Sequence, residues 1–423
     1  MSAQSRTTLT RIACCLVWIA LASPVQPIAS AQGHEVTMNV ESLGLEAHFP
    51  VGRSMVEVPF RLEANKILVD VKVNGSKPLP FVLDTGAPTS VLLKPDAVAA
   101  ESLEIIGQAH VGGAGGEGDV QIAQLAGGVR LEVGDLRIED ARMVIMPDQG
   151  QKHLGSSPWA GIFGAQLFAS AAVEIDWVGK RLRLYEPSTY EASPKAVVVP
   201  LEILGGHVFA AAEVTIDGKS EQVSLVVDTG ASHALALDPA KVAAPERRLR
   251  NAILGRGLNG VLTGDISRVD RLRIGGLSFD NVVTSFPVTA PTVLTVGADG
   301  NLGTEVLRRS VVTFDYERNR MLLEPGEAAA ELFVFSTSGL KIEPWLSDDG
   351  SVGVDEVYAD SPAARAGLST GDRVVAVNSQ PISELGIDAT NELLRQAPGT
   401  RVALQVRRAS ALREVELVLK TIL

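Results

Sequence analysis

The chain has 423 residues, of which 46% are hydrophobic and 21% are charged, a composition typical of folded globular proteins and not of disordered ones. The length exceeds what one ordinary hydrophobic core organises and predicts two or three domains. The formal net charge of -12 at pH 7 argues against a nucleic-acid partner, because binding to phosphates requires a basic surface.

Residues 1–31 have the pattern of a secretory signal peptide. Arg6 and Arg11 precede an apolar run at residues 12–22, and small residues follow at 29–31, which is the usual order of charge, apolar segment and cleavage site. The apolar run is 11 residues long, whereas a membrane-spanning helix needs about 20, so a retained anchor is the weaker alternative. We therefore expect the protein to be periplasmic or secreted.

An internal repeat follows this segment. The tetrapeptide Asp-Thr-Gly-Ala occurs at residues 84–87 and again at 228–231, each time directly after an apolar run. Three further landmarks recur in the same order, 139 to 142 residues apart: glycine-rich segments beginning at Gly113 and Gly255, apolar-Gly elements ending at Gly164 and Gly303, and strand-like segments around Asp176 and Asp315. The repeat predicts two related domains, which we place at residues 32–190 and 196–326.

The pattern of apolar runs and turn residues in each copy predicts an all-β fold. The segments "KILVDVKVNG" and "HVFAAAEVTIDG" are apolar-rich runs that end in Asn-Gly and Asp-Gly, a strong signal for β-hairpins. Helical periodicity is brief and confined to "GAQLFASA" and "GTEVLRRS", while "EPSTYEASPKAVVVP" between the copies is typical of a linker. The sequence thus predicts two pseudo-symmetric β lobes.

The glycine-rich segments match the spacing of a dinucleotide-binding fingerprint. The glycines concerned are Gly113, Gly115 and Gly118 in the first copy and Gly255, Gly257 and Gly260 in the second. That fingerprint requires a helix after the glycines, whereas "DVQIA" and "VLTGDIS" follow here and have the character of strands. We interpret both segments as tips of mobile hairpins that close over a substrate.

The two repeated aspartates indicate acid–base chemistry. If the copies pack around a pseudo-twofold axis, Asp84 and Asp228 meet at the interface, and two carboxyl groups about 3 Å apart share one proton. Such a pair acts as base and acid together: one carboxylate activates a water while the other protonates a carbonyl oxygen. The neighbouring residues are expected to support the pair, threonines through hydroxyl hydrogen bonds between the loops and glycines by permitting close approach: Thr85, Gly86, Thr229 and Gly230.

This chemistry needs neither a metal nor a cofactor, and the sequence predicts neither. The six histidines lack metal-ligand spacing, and both cysteines, Cys14 and Cys15, lie in the N-terminal segment, so a zinc site is not expected. No Gly-x-Ser-x-Gly nucleophile motif occurs. His233, five residues after Asp228, has two interpretations: an ordinary surface-loop histidine, which we favour, or a residue at the edge of the cleft.

With these motifs the chain resembles the aspartic peptidases, specifically a single-chain arrangement of two retropepsin-like lobes. The resemblance rests on residues 84–87 and 228–231 and on the elements "GIFG" and "GNLG". It implies that Asp84 and Asp228 are the catalytic dyad and that the glycine-rich hairpins are flaps. Because both aspartates lie in one chain, we expect a monomer to be active. Asn301 departs from the family pattern because it replaces an apolar residue in "GNLG", and we expect it to disturb packing behind that loop.

A second departure concerns the residue after each Asp-Thr-Gly. The pepsin branch commonly has a hydroxyl there, whereas this chain has Ala87 and Ala231. A hydrogen bond to an ionised carboxylate lowers its pKa, so we expect both carboxyl groups to lack that stabilisation and the activity maximum to lie at mildly acidic pH. Two alternatives remain open: the tetrapeptides are ordinary turns, or the lobes keep the fold without activity.

Residues 336–423 resemble a PDZ domain of the kind attached to bacterial periplasmic serine proteases. The run "DSPAARAGLSTGDRVVAVN" carries the resemblance, with helices expected at residues 362–366 and 389–396. The resemblance implies that a loop captures a peptide C-terminus through backbone N–H groups while the peptide adds a strand to the sheet; the loop residues are Gly339, Leu340, Lys341 and Ile342. A packing module that binds nothing is the alternative.

Together these features predict an exported aspartic endopeptidase that acts on peptide or protein substrates. Its PDZ domain would dock a C-terminal or extended peptide segment. The alternative from another functional class is a catalytically inert adaptor that binds peptides through the PDZ domain.

Overall fold

The computed structural model describes residues 45–112, 121–147, 157–257, 260–288 and 297–423. The segment expected to be a signal peptide lies outside these residues. Strands dominate the described chain, and the prediction of an all-β fold is confirmed. No helix within these ranges is long and apolar enough to cross a membrane.

Within the described residues, the first repeat forms a nine-stranded sheet in which adjacent strands are mostly antiparallel. Its strands are β1 (Glu46–His48), β3 (Arg61–Glu63), β4 (Lys66–Val73), β5 (Leu79–Leu83), β6 (Ser90–Leu92), β7 (Glu104–Val111), β8 (Gln121–Val133), β9 (Leu136–Ile145) and β10 (Gly161–Phe163). The centre departs from the antiparallel pattern: β10 pairs parallel with β5 and antiparallel with β6. This arrangement brings the end of β5 to the middle of the lobe.

The second repeat builds the same arrangement in a larger sheet. The second repeat contributes β13 (Val197–Leu204), β14 (His207–Ile216), β15 (Lys219–Val227), β16 (Leu235–Leu237), β17 (Leu249–Gly257), β18 (Gly260–Ile274), β19 (Leu277–Pro287), β20 (Gly300–Leu302), β21 (Ser310–Asp315) and β22 (Arg320–Pro325) to this sheet. The first repeat contributes β2 (Met55–Pro59), β11 (Ala172–Asp176) and β12 (Arg181–Tyr185) to it. Here β20 pairs parallel with β15 and antiparallel with β16, as β10 does in the first lobe. The lobes are joined because β11 and β21 pair antiparallel.

The burial of the side chains accounts for the hydrophobic patterns of these strands. In β2 the pattern alternates between exposed and buried side chains, as expected of a strand with one face in water. The strands before the two aspartates end in residues buried on both faces, Phe81–Leu83 and Leu225–Val227, which is why the sequence shows continuous apolar runs there. One hydrophobic core extends through both lobes and the sheet between them.

The helices of the lobes are short and lie where the sequence predicted them, α1 at Ala165–Ser170 and α2 at Thr304–Leu307. Each begins directly after an apolar-Gly element. The domain boundaries drawn from the sequence remain predictions, because the β11–β21 pairing makes one sheet common to both lobes.

The C-terminal region folds around its own core. Its elements are β23 (Leu340–Ile342), β24 (Val352–Val357), α3 (Pro362–Arg365), β25 (Arg373–Val377), β26 (Gln380–Pro381), α4 (Ile382–Leu394), β27 (Arg401–Arg408) and β28 (Ala411–Val418). The Ser361 hydroxyl caps α3 by accepting a hydrogen bond from the Ala364 N–H at 3.1 Å. Helix α4 begins seven residues before its predicted start, because Gly386 (φ 77°) sits within it as a kink and not at its boundary.

Candidate active site

The two aspartates lie at equivalent points of the two lobes. Asp84 follows the last residue of β5, and its N–H donates to the carbonyl of Phe163 on the parallel neighbour β10 at 3.0 Å. Asp228 follows β15, and its N–H donates to the carbonyl of Leu302 on β20 at 2.9 Å. The parallel pairings therefore extend one hydrogen bond past the strand ends and fix both carboxylates at the junction of the lobes.

The two carboxyl groups lie close enough for Asp228 to raise the pKa of Asp84. The glycines two residues after them make this approach feasible. A Cβ on Gly86 would lie 2.8 Å from Cγ of Asp228, and a Cβ on Gly230 would lie 2.3 Å from Cγ of Asp84. Any side chain at either glycine would push the opposing aspartate away.

Threonines lock the two loops together across the lobe interface. The Thr85 hydroxyl donates to the Val227 carbonyl at 2.7 Å and accepts from the Thr229 N–H at 3.0 Å. The Thr229 hydroxyl donates to the Leu83 carbonyl at 2.9 Å and accepts from the Thr85 N–H at 3.0 Å. Both threonines are completely buried, so each of these bonds closes without competition from water.

The hydrogen bonds to the carboxylates are symmetric at one oxygen and asymmetric at the other. Oδ1 of Asp84 accepts from the Gly86 N–H, and Oδ1 of Asp228 accepts from the Gly230 N–H, both at 2.8 Å. Oδ2 of Asp228 also accepts from Nδ2 of Asn301 at 2.8 Å. The expectation that both carboxylates lack a side-chain donor is therefore wrong for Asp228, and Asn301 serves the site instead of disturbing it.

The environment of Asp84 favours its protonated form. Burial and the neighbouring Asp228 raise the pKa of Asp84 to about 8, while Lys66 and the Gly86 N–H act in the opposite direction. Burial penalises the charged form of a carboxyl group, and a like charge adds to this penalty. The pair consequently retains a proton well above the pH at which an exposed aspartic acid loses it.

Lys66 and His207 are site residues that sequence reasoning missed. Each is the first residue of a strand, β4 or β14, directly after the first hairpin turn of its lobe. Nζ of Lys66 donates to the carbonyl of Gly230 in the opposite lobe, and His207 contacts the backbone of Gly86. Burial lowers the pKa of both groups. Their shared position in the repeat was the available signal.

His233 is also part of the site, which makes the surface-loop interpretation wrong. It is partly buried, and its Nε2 lies 3.0 Å from Oδ1 of Asn301. Burial lowers the pKa of His233, and Asp228 acts in the opposite direction.

Of the glycines expected in the two flaps, the structure describes those of the second lobe. Gly113, Gly115 and Gly118 lie outside the described residues. In the second lobe, Gly257 and Gly260 form the last pair of the β17–β18 hairpin, and Gly255 pairs with Leu262. These glycines therefore lie at a hairpin tip, as the sequence indicated.

The PDZ loop residues lie on and before β23, which is an edge strand of its sheet in the described structure. The N–H of Gly339 donates to Oγ of Ser336 at 2.9 Å, and the N–H of Leu340 donates to Oγ of Ser338 at 3.2 Å. These two donors are thus occupied within the loop. Lys341 points away from it.

The same face of the PDZ domain contacts β17, the strand that leads to the flap hairpin tip of the second lobe. Nζ of Lys341 donates to the Leu254 carbonyl at 3.0 Å, and Oε2 of Glu356 accepts from the Ile253 N–H at 2.8 Å. Arg256 forms an ion pair with Asp355, whose side chain is 5% exposed. On the other side, Trp345 packs edge-on against Trp159 of the first lobe, with ring centroids 6.2 Å apart. The PDZ domain therefore contacts both lobes.

No cluster of candidate metal ligands occurs among the residues that the structure describes. The described site offers two carboxyl groups, a buried amine and two imidazoles, which are groups suited to moving protons.

Comparisons with known proteins agree with this architecture. Residues 69–166 and 212–306 match the family described as aspartyl protease, and residues 353–408 match the PDZ domain family. The two matched aspartyl protease segments fall in the two lobes, and each includes its Asp-Thr-Gly-Ala tetrapeptide. No curated protein sequence matches the chain significantly.

Several solved structures are similar. Basic 7S globulin from soybean is 12% identical, with a TM-score of 0.43, covering 67% of this chain and 100% of its own. An aspartic proteinase from Irpex lacteus is 11% identical, with a TM-score of 0.43, covering 66% and 99%. An aminopeptidase N family protein from Idiomarina loihiensis is 27% identical over 22% of this chain and 15% of its own, with a TM-score of 0.19. The two lobes of the chain therefore match the aspartyl protease family model, and a match to the PDZ domain family follows them.

Proposed function

We propose that the protein is an aspartic endopeptidase that hydrolyses peptide bonds with a water activated by Asp84 and Asp228. The observation that carries the proposal is that each carboxyl group lies against the Asp-Thr-Gly segment of the other lobe, together with the raised pKa of Asp84. A pair that holds one proton between two carboxyl groups contains a base and an acid at the same pH.

Each of the two steps of the reaction needs one proton transfer to the dyad and one from it. The ionised carboxylate takes a proton from a water molecule, whose oxygen bonds to the carbonyl carbon of the peptide. The protonated carboxyl gives its proton to the carbonyl oxygen, which yields a neutral tetrahedral diol. Collapse of the diol breaks the C–N bond: the protonated carboxyl gives its proton to the leaving nitrogen, and the carboxylate takes a proton from one diol hydroxyl as the carbonyl of the product acid forms. The dyad is then again singly protonated.

The PDZ domain is proposed to dock protein substrates by an extended segment. The position of β23 at the edge of its sheet suits strand addition, while the occupied N–H groups of Gly339 and Leu340 disfavour capture of a terminal carboxylate. We further propose that the protein is exported, on the basis of the signal-peptide pattern in residues 1–31. We also propose that it acts as a monomer, since both aspartates lie in one chain.

The inert adaptor remains the rival function, and a peptide-library digest separates the two. Product mapping by mass spectrometry should show internal cleavages with the wild type and none with Asp84→Asn or Asp228→Asn. Asp217→Asn is the matched control, because Asp217 lies in an exposed turn with φ 49°, which asparagine tolerates, and it should cleave as the wild type does. A wild type without internal cleavages at any pH would favour the adaptor.

A further inference from the structure

The asymmetry of the dyad lies in one side chain, Asn301. Its amide nitrogen is 2.8 Å from Oδ2 of Asp228. The equivalent element of the first lobe has Ile162 at the corresponding place, since β10 pairs with β5 as β20 pairs with β15, and an isoleucine side chain has no donor to offer Asp84. Among the residues that the structure describes, the second lobe therefore supplies a side-chain hydrogen bond to its aspartate that has no equivalent in the first lobe.

We propose that Asn301, oriented by His233, makes Asp228 the ionised member of the dyad and leaves the shared proton on Asp84. This inference rests on the proposed function and deepens it, because it assigns Asp228 as the base that takes the proton from water and Asp84 as the acid that protonates the carbonyl oxygen. Asn301 and His233 are positioning residues in this assignment.

The hydrogen-bond chain fixes the orientation of each group. A carboxylate only accepts hydrogen bonds, so the Asn301 NH₂ faces Asp228 and its Oδ1 faces the other way. Oδ1 accepts from Nε2 of His233 at 3.0 Å, which requires the proton of that imidazole to be on Nε2. Replacing His233 with a side chain that cannot donate would free the amide to turn over and present its oxygen to Asp228, a repulsive contact.

The other groups around the dyad do not create the same preference. Lys66 faces both carboxyl groups, so its charge favours ionisation of either. Tyr316 lies near Asp84 and His207 near Asp228, and burial favours the neutral form of each. The groups facing His233 are Asp228, Asn301 and Lys66.

One more carboxylate approaches this loop from α2. The Glu305 N–H donates to the His233 carbonyl at 3.1 Å. Its carboxylate is paired with Arg308 and Arg309, so its negative charge is balanced locally. Asn301 thus remains the neutral donor that distinguishes the two aspartates.

The location of the proton can be read without turnover. In protein labelled with ¹³C at the aspartate carboxyls, with Asp84→Asn and Asp228→Asn used for assignment, the singly protonated state should show an ionised shift for Asp228 and a protonated shift for Asp84. Asn301→Leu should abolish this difference. Reversed shifts in the wild type, or a difference unchanged by Asn301→Leu, would overturn the assignment. Because this readout needs no cleavage, it stands apart from a failure of the proposed function.

The pH profile of kcat/KM gives a second, independent readout. A hydrogen bond to the ionised form lowers the pKa of the first ionisation of the pair, so its removal in Asn301→Leu should move the acidic limb to higher pH by about one unit, the size expected for a hydrogen bond to a charged group. Ile162→Leu, which alters packing at the equivalent place without removing a donor, should leave the limb in position.

His233 supplies a matched pair of variants should Asn301→Leu fail to fold. His233→Leu removes the donor to Asn301 and should move the acidic limb in the same direction. His233→Gln retains an N–H donor and should restore the wild-type limb. Equal limbs in both His233 variants and the wild type would contradict the role of His233 in orienting Asn301.

Discussion

The threonine bonds between the lobes predict a large loss of stability from a small change. Thr85→Val keeps the shape of the side chain but removes its hydroxyl. In the wild type that hydroxyl donates to the Val227 carbonyl and accepts from the Thr229 N–H. Both partners would then remain in a completely buried interface without a hydrogen bond.

The magnitude follows from counting these partners. Leaving a buried donor or acceptor unsatisfied costs about 1–3 kcal/mol, so two of them predict a loss of about 2–6 kcal/mol in the free energy of unfolding. The two bonds of the Thr229 hydroxyl, to the Leu83 carbonyl and the Thr85 N–H, are independent of the Thr85 hydroxyl. The lobes should therefore stay associated but unfold much more readily.

Guanidinium unfolding followed by tryptophan fluorescence measures this loss. Thr85→Ser is the matched control, since it keeps the hydroxyl and should lose much less stability than Thr85→Val. By pseudo-symmetry, Thr229→Val should cost an amount similar to Thr85→Val. A loss below about 1 kcal/mol in both valine variants, the net value of an ordinary exposed or replaceable hydrogen bond, would refute the reasoning.

Three further predictions concern the dyad and the PDZ contact. Because the pKa of Asp84 is raised to about 8, the folded protein holds a proton that the unfolded chain releases from about pH 4 upward. The free energy of unfolding should therefore fall as the pH rises towards 8, by at most about 1.4 kcal/mol per pH unit. Asp84→Asn should flatten this slope in unfolding titrations between about pH 4 and 8, and equal slopes in the two proteins would contradict the shift. Ala87→Ser places a hydroxyl beside Asp84, and if it donates to the ionised form it should move the alkaline limb of kcat/KM to lower pH, whereas an unmoved limb would show that no such bond forms. Arg256→Ala leaves the buried Asp355 unpaired and should therefore speed amide hydrogen exchange in β17 relative to the wild type. The double variant Arg256→Ala/Asp355→Ala should exchange more slowly than the single variant. Unchanged exchange in the single variant would mean that the ion pair does not hold β17 in place.

The sequence was most informative where the fold repeats itself. Continuous apolar runs before Asp84 and Asp228 indicated strands buried on both faces, and glycines after them indicated close approach, which the structure explains by the contact of each glycine with the opposing carboxyl group. These features depend on residues close together in the chain, so local patterns contain them.

Asn301 shows why other parts of the site could not be predicted. In the sequence it is a polar residue in an apolar element, and only the parallel pairing of Val226 with Asn301 brings its amide to Asp228. Lys66 likewise reaches Gly230 from the opposite lobe. Contacts that depend on how distant strands pair leave no local pattern in the chain.

The central claim is that two carboxyl groups act as one catalytic unit. The most direct test is kcat/KM for one internally cleaved peptide with the wild type, Asp84→Asn, Asp228→Asn and the double variant. Each single variant should lose at least the roughly 10²–10⁴-fold that a positioned acid or base contributes, and the double variant should be no slower than the slower single variant, because removing either partner disables the pair. Wild-type activity in either single variant, or losses that multiply in the double variant, would contradict the claim.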